Sequence, residues 1–457
     1  MKNIRPSAFV TFGGVAVLVV GLLGSGLVPA ASGHIAASCN APTPARLAFE
    51  KPVYIDQHRS GGEPVSVVAK DGSIVVGAHL GTTLAYLRTT PDPDFYTGYR
   101  NQTLVWRSTD DGKTWKQSEL LPGASAHSPM STGFSDPDFA KDSAGNLYGT
   151  EIDLANVSVF SSHDNGVTWP DANAIADSGD RPWLAARGKN VVYLRITGDL
   201  EKSTDGGATW TTLTDPNAYG KIYVDPTDPK GLYAGSANGV GVEVSRDDGH
   251  TWHSYPIPGA KNNSVMDSIG VGKDGYVYYG FIDGDKVKFA SFNPHTNKWS
   301  APVVIPRITQ GGKPFWAWTV AGDNGRAAVG WYEATPVAGS GSTVSVRAYV
   351  AATTNARGST HRCSGGQTVK VAPQFSVADA AGRPIHVGQF PCNGTGCNST
   401  GDRRLGDFFT INYDAKGHLF VTTGDTMMKG PGGTELQVSR PLFMRATDSS
   451  PRMLAGH

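Results

Sequence analysis

Ser108-Thr-Asp-Asp-Gly-Lys-Thr-Trp115, Ser162-His-Asp-Asn-Gly-Val-Thr-Trp169, Ser203-Thr-Asp-Gly-Gly-Ala-Thr-Trp210 and Ser245-Arg-Asp-Asp-Gly-His-Thr-Trp252 are four copies of one pattern, Ser-x-Asp-x-Gly-x-Thr-Trp. Their tryptophans are spaced by 54, 41 and 42 residues, about the length of one four-stranded propeller blade. A degenerate fifth copy ends at Trp299, where Asn293-Pro-His-Thr-Asn-Lys298 supplies the turn residues. Each copy reads as a β-turn between two strands. The Asp carboxylate accepts backbone N–H bonds inside its own turn, Gly takes the positive φ, Thr resumes the strand and Trp packs back over the sheet.

A weaker repeat precedes these turns. Glu63 to Val76, Asp136 to Tyr148, Asp180 to Tyr193, Lys221 to Tyr233, Met266 to Tyr279, Trp316 to Trp331 and Asp407 to Val421 each read as strand, turn, strand. Turns such as Lys70-Asp-Gly72, Lys273-Asp-Gly275 and Asp414-Ala-Lys-Gly417 lie between runs rich in β-branched and aromatic residues, which is hairpin chemistry. The expected fold is all-β: a six- or seven-bladed β-propeller, with seven favoured because seven such units can be found. The Ser-x-Asp turns would join the outer strands of each blade. Leu47 to Ile55 is the candidate for a strand that closes the last blade and removes a free edge.

Composition narrows the class. The chain has 457 residues, with 40 Lys+Arg against 40 Asp+Glu, and this balance argues against nucleic-acid binding by phosphate neutralisation. The 57 glycines and 29 prolines follow no triplet period, which fits a turn-rich globular fold. Lys2 and Arg5 precede an apolar run from Phe9 to Val28, followed by small residues up to Ser38. Residues 1–38 therefore read as a secretory signal peptide, or alternatively as an N-terminal membrane anchor, ahead of a single propeller domain over 39–457. No later segment is apolar for long enough to form a membrane helix. In an exported chain, Cys392 and Cys397 flank a tight Gly-containing loop suited to a local disulfide, and Cys39 with Cys363 would be the remaining pair.

The four Ser-x-Asp turns resemble the Asp-box, or bacterial neuraminidase, repeats of the sialidase-like β-propeller superfamily. In that superfamily the box lies on the propeller's periphery, so the resemblance implies structural roles for Asp110, Asp164, Asp205 and Asp247. Asp180-Arg-Pro-Trp183, Gly330-Trp-Tyr332, His386-Val-Gly388 and Arg404-Leu-Gly-Asp-Phe-Phe409 extend the likeness, toward exported bacterial glycosyl hydrolase-like proteins, over nearly the whole chain after the signal segment. True sialidases carry an Arg-Ile-Pro motif at entry to the first blade. Here that position reads Gly62-Glu63-Pro64, while Ile305-Pro-Arg-Ile308 holds similar letters late in the chain.

Residues that precede innermost strands converge on one mouth of a propeller's channel. The set here includes Glu63, Asp136, Asp138, Asp180, Arg181, Lys221, Asp267, Trp316, Trp318, Arg404 and Asp407. Acids, arginines and tryptophans together suit carbohydrate, which stacks on aromatic faces and hydrogen-bonds to charged groups. If the protein is a glycoside hydrolase, Asp136, Asp138, Asp180 and Asp407 are the candidate acids and bases. Arg181 and Arg404 would clamp substrate, Trp316 or Trp318 would stack on it, and Glu63 would complete the binding ring. The alternatives are a non-catalytic scaffold that binds glycan or protein, and a true exo-sialidase. The sequence contains no cofactor fingerprint and no metal-ligand spacing.

Overall fold

The structure, a computed structural model, describes residues 43–456 except 60, 80–102, 121–134, 154–155, 170, 176–178, 238–239, 262–267, 364–365, 393–401 and 434–437. Seven antiparallel sheets of at least four strands follow one another along the chain. Blade 1 is built from Gly62–Val68, Ile74–His79, Leu104–Ser108 and Lys116–Gln117, and blade 2 from Ser135–Lys141, Leu147–Asp153, Asn156–Ser162 and Asp171–Ile175. The innermost strands of blades 3 to 6 are Trp183–Arg187, Ala218–Val224, Ile269–Val271 and Lys313–Ala321. Blade 7 takes Thr410–Tyr413, Leu419–Asp425 and Arg440–Arg445 from the end of the chain and its outermost strand, Val53–Tyr54, from the beginning. Val53 pairs with Phe443 and Tyr54 with Leu442, so a strand within the predicted closing segment joins the two ends of the chain into a ring. The protein is a seven-bladed β-propeller, which removes the six-bladed alternative.

The burial pattern follows from this architecture. Both faces of an inner strand are covered by neighbouring blades, so Ile74–His79 and Leu419–Asp425 are buried at every position rather than at alternate ones. Outermost strands such as Lys116–Gln117 are exposed. Apolar clusters fill the seams between adjacent blades: Ile74, Val76, Trp106, Phe420 and Phe443 join blades 1 and 7, and Val159, Leu184, Val192 and Leu194 join blades 2 and 3. At Gly280 the seam is too close for a side chain, since a Cβ there would stand 2.4 Å from Val329 Cγ1.

The four Ser-x-Asp turns share one geometry. In the first, Asp110 Oδ1 accepts the Ser108 hydroxyl at 2.8 Å and the Thr114 N–H at 2.9 Å, while Oδ2 accepts the Thr114 hydroxyl at 2.6 Å. Asp164, Asp205 and Asp247 repeat these bonds. Two successive left-handed residues turn the chain, Asp111 and Gly112 in the first copy and Asp248 and Gly249 in the fourth. Each turn joins the third and fourth strands of its blade, as predicted. Cys39 and Cys397 lie outside the described residues, and with them both expected disulfide pairings.

Candidate functional site at the channel mouth

The innermost strands of blades 1, 2, 4 and 6 all break register within their first residues, between Gly62 and Val65, Ser135 and Asp138, Tyr219 and Ile222, and Phe315 and Trp318. Glu63, Asp136 and Trp316 sit in three of these bulges with φ of 49°, 53° and 51°. Arg181, at the entry to blade 3, has φ 63°. Left-handed backbone is costly for residues with a β-carbon and concentrates where a fold must aim a side chain. In this propeller it aims two carboxyls, a guanidinium and an indole from the entries of innermost strands.

Most of the aimed groups meet. His79 Nε2 lies 3.1 Å from Glu63 Oε2, with both side chains fully buried. Burial alone would raise the Glu63 pKa, but His79, a hydrogen bond from Asp136 and the Arg403 charge together bring it down to about 2. Asp136 is pushed the other way, well above the carboxylate range, first by burial and then by the Glu63 charge and hydrogen bond. Burial and the Glu63 charge thus both favour the protonated form of Asp136. Beside them Asp407 accepts from Arg181 Nη2 at 2.9 Å and pairs with Arg403. Asp180 is exposed, 3.6 Å from Arg181 Nε, and its charge adds to the upward push on Asp136.

Of the residues singled out in the sequence, Asp136, Asp180, Arg181, Asp407 and Glu63 thus form one cluster. Asp138 lies further along its strand, where both its oxygens take the Lys221 ammonium, at 2.5 and 2.7 Å, and Oδ2 also accepts the Leu184 N–H. Burial raises its pKa despite the Lys221 charge. Arg404 is engaged by Asp402, with Nε 3.0 Å from both carboxylate oxygens and Nη2 2.6 Å from one. Trp316 is buried against Phe315 and Tyr332, and Trp318 against Trp183 and Phe408. Asp267 lies outside the described residues.

Sequence reasoning missed His79 and Arg403. His79 ends a second strand and pairs across the register with Gly62, so it was legible only through the hairpin alignment. Arg403 and Arg404 are adjacent and alike in sequence, and only the fold shows that Arg403 reaches Asp407 while Arg404 pairs with Asp402. Arg307, in the segment that resembles Arg-Ile-Pro, is held by Glu333 through two bonds of 3.0 and 2.9 Å and by backbone carbonyls, so its guanidinium serves the fold locally. No group of three or more His, Cys, Asp or Glu among the described residues could hold a metal ion.

No family model matches the chain. A sialidase from Micromonospora viridifaciens is 26% identical over 214 residues, 43% of this chain and 28% of its own length. A xyloglucanase from Paenibacillus sp is 36% identical over 93 residues, 18% of this chain and 9% of its own. The photosystem II assembly lipoprotein Ycf48 of Prochlorococcus marinus is 26% identical over 179 residues, 38% of this chain and 49% of its own. The chain thus spans less than half the length of these curated relatives. Among solved structures, the GH74 xyloglucanase from Xanthomonas campestris aligns at TM-score 0.48 and 12% identity, covering 86% of this chain and 56% of that one. The protein is thus a seven-bladed β-propeller whose sequence is similar, over part of its length, to a sialidase, a xyloglucanase and Ycf48.

Proposed function

We propose that this is an exported propeller that recognises carbohydrate at its channel mouth. The observation that carries the reading is the set of left-handed entries at Glu63, Asp136 and Arg181, which gather their charged groups into one network. Strain of this kind persists where the surrounding fold over-determines a geometry that function uses. Two relatives named for carbohydrate substrates, the sialidase and the xyloglucanase, support the ligand class. Export is supported by the N-terminal apolar run and small-residue stretch, with the Cys392–Cys397 bridge as its expected companion. Peptide mapping of the non-reduced native protein tests both, through the mature N-terminus and a Cys392–Cys397 cross-linked peptide.

A second reading is glycoside hydrolysis, favoured by the opposite displacement of the Glu63 and Asp136 pKa values. A carboxylic acid held protonated beside an ionised one is how acid and base roles are divided at neutral pH. The deciding experiment incubates the purified protein with sialosides and with plant and microbial polysaccharides, then analyses products and binding together. Saturable binding without products supports recognition alone. A released sugar that disappears in Asp136→Asn supports hydrolysis. Folded protein that neither binds nor cleaves any of them overturns both readings.

A further inference from the structure

Trp183, Trp318 and Phe408 meet in one aromatic cluster with ring centroids 5.2 to 6.0 Å apart. Each stands one or two residues beyond a mouth residue, namely Arg181, Trp316 and Asp407, so the cluster lies directly beneath the charged network. Beyond it is a separate cavity of about 220 Å³ between the innermost strands of blades 1, 2, 4, 5, 6 and 7. Its wall includes Ser66, Lys221, Trp318, Asn412 and Tyr413. Tyr413 ends its strand, and apart from burial its phenol feels the carboxylate of Asp323, in the turn between the first two strands of blade 6. The cavity therefore belongs to the end of the channel where innermost strands finish, opposite the mouth.

The chemistry of this wall is specific. Among the described residues, its charged lining is Asp138 and Lys221, which offset each other through two contacts. Ser66 contributes to this wall as a residue, but its buried Oγ does not face the open space, so the polar groups available to a ligand come from the other lining side chains. Trp318 supplies an aromatic surface, and Asn412 and Tyr413 add amide and phenol groups. At roughly 30 Å³ per water the cavity has room for about seven waters, enough for a single sugar ring. We propose that this cavity is a second small-ligand site that takes one neutral sugar ring or polyol. It is separated from the mouth by the Trp183–Trp318–Phe408 cluster and does not depend on the mouth's function.

Saturation-transfer NMR and calorimetric titration of the full protein with D-glucose, D-galactose and D-xylose test the proposal. The expected result is saturable binding of at least one of them, weakened about tenfold in Asn412→Ala or in Tyr413→Phe, which remove an amide and a hydroxyl from the wall. Arg181→Gln, which perturbs the mouth, should leave this affinity within twofold. Absence of saturable binding by the folded wild-type protein overturns the proposal. Binding that is weakened by Arg181→Gln and untouched by both channel variants also overturns it, and assigns the sugar to the mouth.

Discussion

Glu63 Oε1 accepts the backbone N–H of Asp407 at 2.6 Å, across 344 residues of chain. A side chain at the entry to the first innermost strand thus fastens the backbone at the entry to the last. Ionisation of Glu63 strengthens this bond, and the same charge faces His79. Its pKa is lowered from 4.5 to about 2, so its contribution to stability is complete above about pH 4.5 and is lost as pH falls toward 2. Glu63→Gln should lower the unfolding free energy by about 2 to 4 kcal/mol at pH 7, because it leaves buried partners uncompensated, and by much less at pH 2. Urea titrations at the two pH values would measure this; an equal loss at both would rule out the ionic role.

Asp136 carries the opposite sign. Its folded pKa is raised above 3.8, so the folded protein holds a proton that the unfolded chain has already released. Stability should therefore decline as pH rises from about 4 through the elevated folded pKa. Asp136→Asn removes the titration while keeping a hydrogen-bond donor toward Glu63. The variant is expected to show a flatter stability profile above pH 4 than wild type. A wild-type carboxyl signal followed by isotope-edited NMR would locate the transition directly, and a normal carboxylate titration would refute the assignment.

The Ser-x-Asp turns are peripheral and locally satisfied. Asp164→Ala removes acceptors for the Ser162 and Thr168 hydroxyls and for the Thr168 N–H. Because this turn is largely solvated, the expected loss is only about 1 kcal/mol. Affinity for any ligand at the mouth should not change per folded molecule. Thermal unfolding together with a binding titration checks both parts, and a folded variant that no longer binds would contradict the peripheral role.

The propeller was legible in the sequence because its information is local and repeated. Each Ser-x-Asp turn encodes its own hydrogen bonds, and each hairpin carries its own turn signal, so seven units could be counted without any long-range contact. The mouth was legible only as a list of strand entries. Which entries share a proton or a charge depends on contacts such as Glu63 with Asp407 and Arg181 with Asp407, which bridge blades far apart in the chain. Asp138 illustrates the limit. Two residues from Asp136, on the same strand, it faces Lys221 in the channel instead of the mouth cluster, because the bulge between Ser135 and Asp138 sets where each side chain points.

Ring closure rests on a short strand backed by a charged clasp. The Tyr54 hydroxyl donates to Asp425 Oδ1 at 2.8 Å, and Arg383 Nη1 donates to Asp425 Oδ2 at 2.6 Å. Asp425 is fully buried, so these two donors offset its desolvation. Deleting residues 43–55 would remove Tyr54 and expose Arg440–Arg445 as a free edge. The truncated protein is expected to unfold at lower urea concentration and to self-associate, as judged by light scattering. Tyr54→Phe, which keeps the strand, should lose about 1 to 2 kcal/mol without associating.

Blade spacing sets a different kind of limit at Gly280. An added methyl there would press into Val329, on the next blade, whose side chain is itself fully buried. Val329 is a short, β-branched side chain and not the end of a flexible one, so relief requires the seam between blades 5 and 6 to widen. Gly280→Ala is therefore expected to cost about 1 to 3 kcal/mol, even though alanine tolerates strand geometry better than glycine does. Pairing it with Val329→Ala makes space and should recover part of the loss, giving a double-mutant coupling of about 1 kcal/mol. Additive losses in the two variants would show that the seam is looser than the 2.4 Å approach implies.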